Sequence, residues 1–138
     1  MTAADEVLAA AASLVAAFAR HDTEAYFDAF APDATFVFYT TAQRLDSRAA
    51  YRQLWADWEA DGFGVLSCSS ADQLVQLLGD GGAGDAAVFS HTVTTRVRFG
   101  AEEQTLRERE TIVFRRVAGG RWLAMHEHLS PQPQEAGS

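Results

Sequence analysis

The sequence predicts an α+β domain in which three N-terminal helices pack on a strongly curved antiparallel sheet to form a cone-shaped barrel. Helical periodicity fills the first part of the chain, strand-like alternation fills the remainder, and glycine-rich turns separate the long strands. Helices that precede a run of antiparallel strands are typical of this class. Residues 1–131 are expected to form one domain, and residues 132–138 a flexible tail.

The three helices are predicted from apolar spacing and from the residues that begin and end them. Apolar side chains recur at helical spacing in each segment. Polar N-cap residues precede the segments, and turn-forming residues follow them. The predicted helices are 3–20 with a capping box of Thr2 and Asp5, a short helix capped by Asp22 or Thr23, and a third from Ser47 to Gly62.

The strands are predicted from alternation and from enrichment in β-branched and aromatic residues. The glycine-rich segment 79–85 is expected to be a loop, and Gly119-Gly120 predicts a hairpin that joins the last two strands. The predicted strands are 34–40, 63–78 with a break near 69–72, 86–99, 103–117 and 121–131.

Composition and charge exclude several classes of partner. Apolar residues make up 48% of the 138-residue chain and charged residues 22%, which is typical of a globular protein. The net charge of −8 argues against nucleic acid and anionic membranes as partners. The chain has one cysteine and no long apolar run, and acidic residues stand where a signal peptide would be basic. These features predict a cytoplasmic protein.

The last predicted strand carries chemically informative side chains on both faces. Strict alternation places His126 and His128 beside each other on the face of Trp122, with Ala124 and Ser130. The opposite face then holds Leu123, Met125, Glu127 and Leu129. Because both faces carry apolar side chains, this strand is not an ordinary half-exposed strand.

Several short motifs together give the chain a family resemblance. They are Phe30-Ala31-Pro32-Asp33-Ala34, Ser47–Trp58, Glu110-Thr111, the Gly-Gly-Arg-Trp turn, and His126-Glu127-His128-Leu129-Ser130. In this order they resemble the nuclear transport factor 2-like superfamily, in its SnoaL-like branch. The ending is similar to the association domain of calcium/calmodulin-dependent protein kinase II, which also closes on Trp and then His-x-His-x-Ser.

The resemblance implies a cone with an internal cavity into which Trp122, and therefore the two histidines, would point. It also implies dimers formed by packed sheets. The superfamily contains isomerases, dehydratases, cyclases, hydrolases and non-catalytic binders, so that the fold does not determine the function. Two departures are present: Ile112 stands where the association domain has a pocket arginine, and no aspartate aligns with the catalytic aspartate expected of the cyclases and isomerases.

A candidate site follows from the predicted pairing of the last two strands. This pairing places Ile112 opposite His126 and Glu110 near His128, while His91 shares an inward face with Phe89. The predicted catalytic residues are His126, His128 and Glu110. The predicted ligand-binding residues are His91, Tyr26, Phe38, Tyr51, Trp55, Phe89, Ile112 and Trp122.

Three interpretations of this cluster remain open from the sequence. In one, a histidine oriented by Glu110 acts as a general base or acid, because imidazole titrates near neutral pH. In another, His126 and His128 with His91 and Glu110 bind a divalent metal. In the third, the groups only hydrogen-bond each other. The prediction adopted includes no metal and no cofactor.

The resulting functional hypothesis is a protein that binds a small, largely hydrophobic organic molecule. If it is an enzyme, the reaction would be cofactor-independent isomerisation, cyclisation or dehydration. The alternative is a non-enzymatic association module with a vestigial cavity. Because no segment is left to cover Leu123, Met125 and Leu129, a homodimer through this face is expected.

Overall fold

Three helices and a five-stranded sheet are present in the computed structural model, which describes residues 1–79 and 84–133. This arrangement confirms the predicted α+β class. The helices are α1 (Ala3–Ala19), α2 (Thr23–Asp28) and α3 (Arg48–Ala60). The strands are β1 (Phe30–Phe38), β2 (Phe63–Leu78), β3 (Ala86–Phe99), β4 (Glu102–Arg116) and β5 (Trp122–Pro131).

The helices begin at the predicted capping residues. Thr2 and Asp5 form a reciprocal capping box, in which the Thr2 hydroxyl accepts from the Asp5 amide and the Asp5 carboxylate accepts from the Thr2 amide. The side chain of Asp22 caps α2, and Ser47 caps α3. Gly62, which follows α3, has a φ of +94°, and a Cβ there would lie 2.7 Å from the Gly100 amide nitrogen.

The sheet has the strand order β1-β5-β4-β3-β2. The four strands β2 to β5 form an antiparallel meander, whereas β1 pairs in parallel with β5. The sheet is therefore mixed rather than wholly antiparallel. Parallel pairing requires a long crossover, and here α3 and the intervening meander supply it.

Strand β2 is irregular where the sequence predicts a break. Its pairing with β3 shifts register between Val65 and Ser67 and again between Ala71 and Leu74, and Asp72 has a φ of +52°. Bulges of this kind bend a strand and increase its twist. The bends let the sheet curl around the helices and leave space between the two layers.

The core is built mainly from aromatic rings that the helices and β1 bring together. Trp55 lies at its centre, 1% exposed, with its indole nitrogen donating to the Thr23 hydroxyl at 3.1 Å. The buried rings around it belong to Tyr26, Phe27, Phe30, Phe36, Phe38, Tyr51 and Phe63.

Two predicted segments fall partly outside the described residues. Residues 80–83 of the predicted glycine-rich loop and residues 134–138 of the predicted tail lie there. Within the described ranges, none of the helices combines the length and apolar character needed to span a membrane.

Candidate functional site

A β-bulge at Met125 determines which side chains of β5 point into the cone. Phe114 pairs with Ala124 and Val113 pairs with His126, so that Met125 has no partner on β4. One extra residue in a strand reverses the alternation of faces beyond it. Trp122 and Ala124 are buried before the bulge, and Glu127 is buried after it.

The bulge makes the predicted orientation of the two histidines wrong. His126 and His128 lie on the outer face of the sheet, with ring centroids 6.3 Å apart. The Nδ1 of His126 is 2.7 Å from the Thr35 hydroxyl on β1, and partial burial lowers the pKa of His126. The predicted strand register was also wrong by one residue, because Ile112 pairs with Glu127 and Glu110 with Leu129.

A cavity of about 220 Å³ lies between the helices and the concave face of the sheet. Its wall is mostly aromatic and aliphatic, and the exposed residues Thr40 and Phe99 are at the point where it meets the surface. The polar lining comprises Tyr26, Thr40, Tyr51, Cys68, Thr95, Glu108, Glu110 and Glu127.

Apart from His126 and His128, the predicted site residues are distributed in three places. Glu110, Tyr26, Phe38 and Tyr51 line the cavity. His91 is buried next to Glu110, and its inward orientation agrees with the predicted face of β3. The remaining four predicted ligand-binding residues are buried in the core but do not line the cavity: Trp55, Phe89, Ile112 and Trp122.

A chain of hydrogen bonds crosses three neighbouring strands and ends at Glu110. Gln73 Nε2 donates to the Ser70 hydroxyl at 2.9 Å, and that hydroxyl lies 2.6 Å from Nδ1 of His91. Nε2 of His91 is 2.7 Å from Oε1 of Glu110. A carboxylate can only accept, so a neutral His91 donates from Nε2 to Glu110 and accepts at Nδ1 from Ser70. This arrangement fixes the orientation of the Glu110 carboxylate at the cavity wall.

Glu127 is a carboxyl group buried in the wall next to Glu110. It is 3% exposed, and its Oε1 has no hydrogen-bond donor among the described residues. Burial raises the pKa of Glu127 well above its ordinary value, and the charge of Glu110 and a hydrogen bond to that carboxyl raise it further. A carboxyl whose pKa is raised in this way can hold its proton and donate a hydrogen bond from it.

A third carboxyl and a pair of tyrosine hydroxyls also belong to the polar lining. The Tyr39 hydroxyl donates to Oε2 of Glu108 at 2.6 Å, and burial raises the pKa of Glu108. The hydroxyls of Tyr26 and Tyr51 are 2.9 Å apart. Burial raises the pKa of both tyrosines well above the ordinary value, so that both remain neutral.

Comparison with known families then identifies the fold. The SnoaL-like domain family matches residues 7–134 of the sequence, which is nearly the whole chain. The chain belongs to the SnoaL-like domain family. This result confirms the resemblance that the sequence motifs carry. A comparison with curated proteins gives no match for this SnoaL-like domain.

Solved structures with the same fold are similar to this SnoaL-like domain over nearly its full length. An NTF2-like protein of unknown function in nutrient uptake from Rhodospirillum rubrum has 20% identity and a TM-score of 0.77, covering 92% of this chain and 98% of that one. A putative calcium/calmodulin-dependent protein kinase II association domain from Xanthomonas campestris has 22% identity and a TM-score of 0.75, covering 98% and 94%. At this level of identity the similarity establishes the fold alone.

Sequence reasoning missed Glu127 and Glu108 as cavity residues in this SnoaL-like domain. Glu108 could have been found, because it lies two residues from Glu110 and must share its face in a regular strand. Glu127 had a weaker signal: it was the one charged residue on a predicted face otherwise formed by Leu123, Met125 and Leu129.

The histidines predicted as alternative metal ligands are not brought together. His91 and Glu110 are in contact on the concave side, whereas His126 and His128 are on the convex side. Within the described residues, no group of three or more potential ligands has the geometry to hold a metal ion. The carboxyl pair, in contrast, has the arrangement of a general base and a neutral hydrogen-bond donor.

Proposed function

We propose that this SnoaL-like domain binds a small, largely hydrophobic organic molecule in its cavity and transfers a proton on it without a cofactor. The observation that best supports the proposal is that Glu110 and the buried Glu127 line the same aromatic-walled cavity from two paired strands. The cavity volume of about 220 Å³ exceeds the roughly 150 Å³ that accommodates benzene and is below the range for drug-sized ligands. A ligand of one or two rings fits these limits.

The two carboxyls would have different roles in the reaction. Glu110, oriented by His91, would remove a proton from a carbon next to a carbonyl group, and the electron pair would move towards the carbonyl oxygen. Glu127 would donate its hydrogen bond to that oxygen as negative charge develops. Exchange results when the proton on Glu110 is replaced by one from solvent before it returns to the same carbon. Return of a proton to another carbon gives isomerisation. Cyclisation and dehydration can use the same pair.

The bicyclic ketone 2-tetralone is a suitable probe because it is neutral, apolar and enolisable. We expect ligand-observed NMR to detect its binding, and wild-type protein to accelerate exchange of its α-hydrogens for deuterium in D₂O. Replacing the base by Glu110→Gln should reduce the exchange rate by about 100-fold or more. Binding of the ketone should persist, since the amide has nearly the shape of the carboxylate.

Two tryptophan substitutions on β4 provide a matched control. Leu106→Trp places a larger side chain in the cavity lining and should prevent binding of 2-tetralone. Arg107→Trp adds the same side chain at the adjacent exposed position and should leave binding unchanged. Absence of binding to the wild-type protein would contradict the whole proposal. Equal exchange rates with wild-type protein and Glu110→Gln would contradict the catalytic part alone.

We also propose that the protein forms a homodimer through the outer face of the sheet. Leu123, Met125 and Val113 are half-buried there, and the described helices all pack on the other face. Leu129, predicted as part of this interface, lines the cavity instead and is not available to it. Light scattering at micromolar concentration should give about twice the 15.0 kDa chain mass, and a monomer mass would contradict this proposal.

A further inference from the structure

The charge inside the cavity is unbalanced. Three carboxyl groups, those of Glu108, Glu110 and Glu127, line the same hollow from β4 and β5. Within the described part of the chain, no arginine or histidine side chain is among the lining residues. His91 contacts Glu110 from within the sheet, and its two ring nitrogens are engaged by Glu110 and Ser70. The described residues therefore provide anionic groups to the cavity and no cationic side chain.

One carboxyl oxygen of Glu127 also lacks a hydrogen-bond donor among the described residues. Buried carboxyls in proteins are normally bonded to donors or paired with a cation. Glu127 lies beside a second carboxyl, and its buried Oε1 receives no donor from the described residues. A cationic N–H group in the cavity would supply the donor and the charge that this group lacks.

The wall around the carboxyls is suited to the same kind of ligand. Aromatic faces attract a cation, and they also bury the apolar part of a ligand. The aromatic lining consists of Phe18, Tyr26, Phe38, Tyr51, Trp58, Phe63 and Phe99. An anionic ligand would meet both the carboxyls and the negative faces of these rings.

We propose that the ligand of this cavity is a hydrophobic amine bound as its ammonium ion, with the nitrogen at Glu110 and Glu127 and the hydrocarbon against the aromatic wall. This inference rests on the proposed binding function and adds the chemical class of the ligand. The acid–base role of Glu110 is a separate property and is tested separately.

Binding of an ammonium ion should be coupled to release of a proton. Titratable groups face Glu127 from four of the surrounding elements: Glu108 and Glu110 on β4, Tyr26 on α2, Tyr51 on α3 and Cys68 on β2. His91 on β3 lies behind Glu110. Burial raises the pKa of Glu127, so the free protein holds its proton. A neighbouring cation favours the ionised carboxylate. The affinity for the amine should therefore increase with pH, whereas the affinity for a neutral ligand should not.

Three molecules with the same carbon skeleton test the charge preference: 2-aminotetralin, 2-tetralone and tetralin-2-carboxylate. Titration calorimetry at about pH 6 and about pH 8 keeps the amine protonated throughout, since alkylammonium groups titrate near 10. We expect the amine to bind about tenfold more tightly than the ketone at the higher pH, which is about 1.4 kcal/mol. The carboxylate should bind most weakly. Buffers with different ionisation enthalpies should reveal proton release with the amine alone.

Two glutamine substitutions separate the site from the general charge of the protein. Glu127→Gln cannot release a proton, so it should abolish proton release and reduce the preference for the amine over the ketone. Glu102→Gln removes one exposed carboxylate at the start of β4, outside the cavity lining, and should change neither. The wild-type pH dependence provides the second measurement, which does not depend on any variant.

The outcomes distinguish this inference from the proposed binding function. If the protein binds 2-tetralone at least as tightly as the amine, or binds the amine without proton release, the inference about the ligand is wrong and the binding function stands. If none of the three molecules binds, both are wrong. Tighter binding of the amine in wild-type protein, lost in Glu127→Gln and retained in Glu102→Gln, supports both.

Discussion

Deletion of Met125 should leave the inward face of β5 unchanged. Ala124 would then be followed directly by His126, and the pairs Phe114–Ala124 and Val113–His126 would become consecutive, as in a regular strand. Glu127 and Leu129 would still point into the cone, and His126 and His128 would still point outward. The variant should therefore lose no more than about 2 kcal/mol of the 5–15 kcal/mol that typically stabilises a domain.

Urea unfolding followed by circular dichroism measures this effect. The matched control is Met125→Ala, which shortens the side chain but keeps the residue count and therefore the bulge. Because Met125 is only half-buried, this variant should lose no more than about 2 kcal/mol and unfold cooperatively. A deletion variant that does not fold, beside a cooperative Met125→Ala, would contradict the expectation that removing the bulge preserves the faces of β5.

Replacement of Glu127 by glutamine should stabilise the protein, and the gain should increase with pH. Burial raises the pKa of Glu127 in the folded state, so the native protein holds a proton that the unfolded chain releases above about pH 4.3. The free energy of unfolding of the wild-type protein therefore falls as pH rises towards the folded-state pKa. Glutamine does not ionise and can still donate to Glu110.

Thermal unfolding of both proteins between about pH 4 and about pH 8 measures this difference. The two melting temperatures should be similar at the lower limit, where Glu127 is protonated in both states. Above it the gain of the variant should grow by up to about 1.4 kcal/mol per pH unit, until the folded-state pKa is passed. Glu102→Gln, at an exposed position, should give a difference near zero throughout. A melting temperature of Glu127→Gln that stays below wild type would contradict the buried, protonated state.

Local patterns predicted the elements well because they depend on neighbouring residues. The capping box of Thr2 and Asp5 and the N-cap Ser47 fix the helix starts through contacts three residues apart. The predicted range of β3 matches the observed strand, and alternation correctly placed His91 on its buried face. The alternation of polar and apolar residues along β3 predicts its buried face reliably, because the two kinds of position differ clearly in this strand.

The parallel pairing of β1 with β5 was decided at long range. These strands are separated by most of the chain, and a sequence pattern specifies the strand but not its neighbour. The same limit applies to the cavity lining. All four of the aromatic residues Phe38, Tyr51, Trp55 and Phe89 were predicted to bind the ligand. Only Phe38 and Tyr51 line the cavity, because tertiary packing determines which rings remain accessible from it.

By itself the sequence determined the class of fold, the family and the presence of His91 on the concave side. Glu110 also lies there, although its prediction rested on a strand register that was wrong by one residue. Only the tertiary structure decided that Glu127, rather than His126 and His128, shares the cavity with them. The physical reason is the bulge: one unpaired residue at Met125 reverses every face beyond it. Both faces of β5 carry apolar side chains, so that the register is specified by the partner strands and not by the strand's own pattern.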